Sequence, residues 1–458
     1  MNRPVAAYAL CVLFAINAIN FFDRQIGGVL AEPIRKEWRL DDTQMGWLTT
    51  AFTLLYAAVG MPLGRLADRS NRSHILAAGV AFWSLMTAAS GLTRNFLQLF
   101  LVRLGVGVGE ATCAPASASL IGDLYPPQQR AKAMSIFMMG LPIGIALSYL
   151  VSSQIAAKYG WRQAFFVAGI PGLLCALAAM VLREPARGAS EIHASVGARR
   201  RDGSPYLLVL ATPTMFWLIL SGALHNFNMY ALSAFQMPFL MRYHGATLTD
   251  AGRLLTLLAL AGIPGLLLGG FAGDISRRKR PNGRLLVAAV AILLSTPFTY
   301  LALHAAPGDL LGFGLFMALG GGLMFVYYAT VYSTIQDVIE PSLRGTAMAL
   351  YFFAMYVFGA SFGPVLTGFL SERYTRSAAT AAGVVTFTKD ALEPFRAAGL
   401  HSAMYLIPAL GGLLALVLFA ASFTVRNDMD DLNHWMLALD CVDSPATSIR
   451  SADDPITR

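Results

Sequence analysis

Four ionisable side chains stand inside long apolar runs: Asp23 and Arg24 in one, Arg103 and Glu110 in another. An ionised group at mid-bilayer costs roughly 2.5–3.5 kcal/mol on insertion scales, so such residues face a polar cavity or a partner. Asn17, Asn20 and Arg24 recur at helical spacing and form one stripe. Asp23 lies about 100° round the helix from Arg24, so separate partners on other helices are expected for the two. Arg103 and Glu110 are seven apart, in Arg103-Leu-Gly-Val-Gly-Val-Gly-Glu110-Ala. That spacing puts them on one face, about 10 Å apart along the axis, too far for a short direct bond. Arg103 is a fixed cation, fit to serve as counter-ion or anion anchor. Glu110 in an apolar wall suits proton uptake and release, because desolvation disfavours a bare carboxylate. This is chemistry of reversible protonation beside fixed cations. There is no P-loop and no metal-spaced His/Glu set, so no enzyme, ATP-driven pump, cofactor or metal is expected.

The elements that must position these groups are membrane helices. The 458 residues are 56% hydrophobic and only 13% charged, where a soluble domain carries roughly 25%. Mean hydropathy is +0.57. The charges cluster between apolar runs of roughly 20 residues, the length that crosses a bilayer. Twelve spans are read, near 5–31, 44–67, 74–93, 96–123, 130–157, 162–183, 208–240, 249–272, 284–304, 309–338, 344–372 and 398–425. The first is expected to be retained rather than cleaved as a signal peptide. The net charge of +8 resides in loops, with no basic stripe interleaved with aromatics, which excludes nucleic acid as a partner. Cys11, Cys113, Cys175 and Cys441 have neither metal nor disulfide spacing. Lys and Arg crowd the loops at 65–72, 130–132, 183–201 and 277–284, which places both termini in the cytoplasm. The expected domains are 1–183, a linker 184–206, 207–426 and a cytoplasmic tail 427–458.

Two marks are duplicated. Gly64-Arg-Leu-Ala-Asp68-Arg69-Ser-Asn-Arg72 recurs as Gly270-Phe-Ala-Gly-Asp274-Ile-Ser-Arg277-Arg278. Asp123, seven residues before Arg130, recurs as Asp337, seven before Arg344, at nearly the same offset. The chain is therefore read as two similar membrane halves, an architecture of transporters. Gly64 and Gly270 are expected to let helices approach closely. Asp68, Asp274, Asp123 and Asp337 are expected to form networks with Arg69, Arg72, Arg277 and Arg278 that latch one conformation and break when the cytoplasmic side opens. Interior polar candidates in the second half are His225, Asn226, Asn228, Tyr230, Gln236, Tyr327, Tyr328, Tyr332 and Gln336. Asn226, Asn228, Gln236 and Tyr328 are taken with Arg24, Arg103 and Asn20 as substrate-facing. His225, alone on an apolar helix, reads as a satisfied packing residue.

The duplicated loop, with Gly140-Leu-Pro-Ile-Gly144 in the fifth span, resembles the signature of the major facilitator superfamily over nearly the whole chain. That resemblance implies an all-α integral membrane fold with 12 transmembrane helices in two pseudo-symmetric six-helix bundles. Asn20-Phe-Phe-Asp23-Arg24-Gln25, Phe82-Trp-Ser84, Gly107-Val-Gly-Glu110-Ala and Arg183-Glu-Pro-Ala-Arg187-Gly are similar to the spinster branch, with Phe21 where that branch usually has Tyr. The branch resembles proton-linked carriers of lysolipids and sphingosine-type lipids. The resemblance implies that Asp23 and Glu110 handle protons while Arg103 tunes them or meets a headgroup. The expected function is alternating-access, proton-coupled transport by a monomer in the cytoplasmic membrane, with membrane lipids, protons and a small lysolipid-like molecule as partners. The alternatives are a symporter of small organic anions or sugar acids, and a transport-inactive receptor.

Overall fold

The computed structural model describes residues 3–125, 127–185, 204–340 and 343–443. Its long helices, in chain order, are α1 Arg3–Val29, α2 Asp42–Arg69, α3 Arg72–Ser90, α4 Phe96–Leu124, α5 Lys132–Tyr159, α6 Trp161–Met180, α7 Pro213–Arg242, α8 Leu248–Lys279, α9 Gly283–His304, α10 Leu310–Val338, α11 Arg344–Ala381 and α12 Leu406–Asp443. A short helix, Ala31–Trp38, links α1 to α2. No strand occurs among the described residues. Ten of the helices are long and apolar enough to cross a membrane. The other two, α2 and α7, stand where the sequence places the second and seventh spans.

Helix starts follow the local sequence. Asp41 and Gln44 form a reciprocal capping box at α2, with Gln44 N donating to Asp41 Oδ1 at 2.7 Å. Asn71, Asn95, Thr247 and Asp309 cap α3, α4, α8 and α10 by the same kind of bond. Two helices contain a wider turn: Ser148–Ser152 in α5 and Met355–Ala360 in α11 are π-helical. Such turns recur at functional sites, because they re-aim side chains without ending the helix.

Packing divides the helices into two groups. Helices α1 to α6 pack on one another, as α7 to α12 do. The groups meet chiefly through α2 with α11, α5 with α8, and α1 with α7. Gly144 of α5 lies against the Ala18 carbonyl of α1, and Gly359 of α11 lies against the Ala223 carbonyl of α7. A Cβ at either would overlap the neighbouring backbone, so each group uses glycine where these helices approach closely. The final helix runs past Arg426 to Asp443, and Asp428 on it accepts from Thr214 N at 2.7 Å at the start of α7. Most of the expected linker, 186–203, and the last part of the tail, 444–458, lie outside the described residues.

Candidate functional site

A cavity of about 1130 Å³ separates the two helix groups. One wall carries Asn17, Asn20, Arg24 and Arg103, so the polar stripe read on α1 faces inward as the spacing requires. The opposite wall carries Asn226, Tyr230, Gln236, Tyr328, Tyr332 and Tyr356. Methionine, phenylalanine and leucine fill most of the rest, including Met134, Phe137, Met324 and Phe325. A cavity of this make accepts an amphipathic molecule, with few polar groups to orient it.

Arg24 is the hub. Its Nε donates to Glu110 Oε2 at 2.8 Å, and its Nη1 donates to the Tyr356 hydroxyl at 3.2 Å. Its guanidinium also lies 4.3 Å from the Tyr56 ring centre. Tyr356 belongs to the π turn of α11, so Arg24 joins α4 of its own group to the other group. Arg103 has no carboxylate partner; its Nη2 donates to the Asp23 backbone carbonyl at 3.0 Å and its Nη1 has no hydrogen bond. Asn20 also lines the cavity, and its Nδ2 is buried and unpartnered. Both donors are buried within the cavity wall, and an anion would satisfy them after a side-chain shift that exposes them.

Asp23 and Glu110 are fully buried and absent from the cavity lining. Glu110 sits behind Arg24, so its partner is Arg24 rather than the Arg103 on its own helix face. The Asp23 carboxylate has no hydrogen bond, and Trp83 Nε1 and Thr87 Oγ1, its polar neighbours, have none either. Asp23 and Arg24 thus take separate surroundings, as their angular offset predicts.

Three second-half expectations need correction. Asn228 does not face the cavity: its Nδ2 donates to the Ile407 carbonyl at 3.1 Å and ties α7 to α12. Two residues on a helix are about 200° apart, so it cannot share the Asn226 face. His225 is not satisfied. Both ring nitrogens are unpartnered, and the ring stacks on Tyr327 with centres 4.0 Å apart. Gly270 faces open space; Gly265 and Gly269 make the close approach to α10 instead.

The repeated loops form networks, each within its own group. Arg72 holds Asp123 and Glu184, with Nε donating to Glu184 Oε1 at 2.6 Å. Arg284 holds Asp274 and Asp337 at 2.7 and 2.6 Å, and Arg277 approaches Asp337 at 3.3 Å. Arg284 thus fills the role expected of Arg278, which is exposed. The side chains of Gly64, Asp68 and Arg69 lie outside the described residues. The described bonds of these networks at this end do not join the two groups. The cavity lining extends toward this end through Met134, Met138, Gly345 and Tyr206.

The opposite end is closed by a buried ionic network that sequence reasoning missed. Arg242, at the end of α7, donates to Glu32 at 2.7 Å and to both oxygens of Asp42 at 2.9 Å. Arg35 holds Glu32 at 2.9 Å and reaches Glu393 Oε2 at 3.0 Å. Arg396 links Glu393 to Glu372, and Ser371 Oγ donates to Asp42 at 2.6 Å. Glu32 and Asp42 from one group are therefore paired with Arg242 from the other, Arg35 is paired with Glu393, and Ser371 adds a hydrogen bond to Asp42. The available signal was the Glu32/Arg35 step on a short helix, which gave the local pair but not the distant ones.

Residues 13–364 match the Major Facilitator Superfamily model. The chain is 30% identical to protein spinster homolog 1 of Rattus norvegicus over 463 residues, covering 93% of this chain and 83% of that protein. It is 30% identical to an MFS-type efflux pump of Mycolicibacterium smegmatis, covering 80% and 85%. In three dimensions it is similar to a bacterial homolog of the human lysosomal transporter Spinster in an inward-facing, unoccupied conformation. The TM-score is 0.83 at 28% identity, covering 93% of this chain and 99% of that one.

Proposed function

The chain belongs to the major facilitator superfamily of membrane transporters, within its spinster branch, and on that premise we propose that it is a proton-coupled secondary active transporter of an amphipathic, lysolipid-like molecule, working by alternating access. The observation that carries this reading is the cavity wall. A guanidinium tied to a fully buried glutamate there stands beside a second, unpaired guanidinium, across from an apolar and aromatic surface. Arg103 and Asn20 receive the anionic part of the substrate, and the methionine and aromatic wall receives its apolar part. A proton on Glu110 weakens its hold on Arg24, which also bonds Tyr356 on the other helix group. The proton changes the balance of states only by binding one of them more tightly. Asp23, the second buried carboxyl, is the other proton carrier.

In this reading residues 1–183 and 207–426 form the two bundles. The segments 184–206 and 427–458 lie in the cytoplasm of a monomer in the cytoplasmic membrane, by the positive-inside bias. The loop-bearing end of the cavity then faces inward and the ionic network closes the outer side. No enzymatic step is part of the proposal.

The test is uptake of a fluorescent lysolipid into proteoliposomes under an imposed pH gradient. Glu110→Gln and Asp23→Asn should abolish pH-driven uptake while the folded protein still binds the probe. Full pH-dependent transport by both variants refutes the coupling assignment. The unpartnered Nη1 of Arg103 also suits a small organic anion. Uptake of a labelled sugar acid that excess lysolipid does not reduce would favour that second reading.

A further inference from the structure

Of the stretch Asn20 to Gln25, Gln25 is the polar residue that the charge chemistry leaves unused. It is buried, one step round α1 from Arg24, and its carboxamide is engaged on three sides. Its Nε2 donates to the Tyr149 hydroxyl at 2.8 Å and to the Ser233 carbonyl at 3.2 Å, and its Oε1 accepts from Ser233 Oγ at 2.8 Å. Tyr149 lies on α5, in the same helix group, within its π turn. Ser233 lies on α7, in the other group. One turn away on α1, Gly28 lies so close to the Ser233 carbonyl that a Cβ there would overlap it.

We infer that Gln25 is a positioning residue that couples the charged face of α1 to closure of the transporter at its 31–42 end. The inference rests on the alternating-access reading above. Two of its three bonds cross between the helix groups, so they exist only while α1 and α7 are in contact. The third, to Tyr149, holds the carboxamide in place within its own group. Arg24 and Gln25 are adjacent, and each reaches across to the other group, Arg24 to Tyr356 on α11 and Gln25 to Ser233 on α7. A rotation of α1 that follows loss of the Arg24–Glu110 pair therefore disturbs both crossings together. The ionic network seals the outer rim, and Gln25 sets the seal at the cavity ceiling, next to the proton site.

The experiment measures distances across the outer end by pulsed electron spin resonance. Spin labels are placed at Tyr159→Cys and Val385→Cys, both exposed, with the four native cysteines replaced by serine. The full chain is reconstituted in liposomes. The expected wild-type pattern is a short and a long distance whose ratio responds to pH. Gln25→Ala should raise the long-distance fraction at least about threefold, the effect of losing a buried hydrogen bond in one state only. Ser233→Ala should move it the same way by less, and Ser233→Thr, which keeps the hydroxyl, should restore the wild-type ratio. Ser233→Ala deletes a single oxygen and carries the test if Gln25→Ala does not fold. An unchanged ratio in the folded alanine variants overturns the role of Gln25 and leaves alternating access intact. A single distance at every pH in the wild type refutes the alternating-access reading and this inference with it.

Discussion

Replacing Arg242 by methionine should hold the 31–42 end open. The Arg242 side chain is 7% exposed and makes three bonds, one to Glu32 and two to Asp42, both fully buried carboxylates. Removing one partner of a buried pair costs about 3–5 kcal/mol, because a charge is left without compensation. Here the loss is moderated, since Glu32 keeps Arg35 and Asp42 keeps Ser371. A net penalty of about 3 kcal/mol on the closed state is the outcome, with little effect once the same groups are in water. That shifts the open-to-closed ratio by about two orders of magnitude. The assay is labelling of Thr49→Cys, a cavity-lining position, by an impermeant maleimide added only on the 31–42 side. The labelling rate should rise about a hundredfold in Arg242→Met. It should fall back toward wild type when Asp42→Asn and Glu32→Gln are added, because the uncompensated charges are then gone. A wild-type rate in the folded single variant, or no recovery in the triple variant, refutes the reasoning.

Glu184 gives a pH prediction at the other end. Burial pushes its carboxyl up, but hydrogen bonds from the Arg72 guanidinium and from Ser73 outweigh it, and the net direction is down from 4.5. A lowered folded value means that its contribution is present above pH 4.5 and is lost as pH falls through the folded value. Thermal unfolding in detergent should therefore show a steeper acid-side loss for wild type than for Glu184→Gln; parallel profiles would contradict the assignment. Asn228→Ala should lower stability by about 1–2 kcal/mol, through loss of the buried bond to Ile407, while lysolipid binding is unchanged. A binding loss without a stability loss would return Asn228 to the substrate wall.

The residues that read correctly from sequence are those fixed by a single helix. The stripe of Asn17, Asn20 and Arg24, and the separation of Asp23 from it, depend only on 100° steps. The spans are legible because twenty apolar residues have few other uses. The pairings are a different matter. Arg24 and Glu110 are 86 positions apart, and Arg242 and Asp42 are 200 apart. Periodicity assigns each residue a face but not the neighbour that the face meets, so it ruled out a direct Arg103–Glu110 bond without naming Arg24 as the partner. The same limit hid the ionic network, whose acids and bases read as ordinary loop charges. Asn228 was a different error, a polar residue assigned inward when its position on the helix places it opposite Asn226.

The wider turns in α5 and α11 carry a mechanical consequence. Tyr149 and Tyr356, which grip Gln25 and Arg24, both sit within them. A π turn holds one surplus residue, and sliding that surplus along the helix swings the side chains it passes while the helix ends stay put. The two grips on α1 are thus mounted on the segments of their helices that yield most cheaply. They can let go by reshuffling a few backbone bonds, with no need to unwind a rod that spans the bilayer.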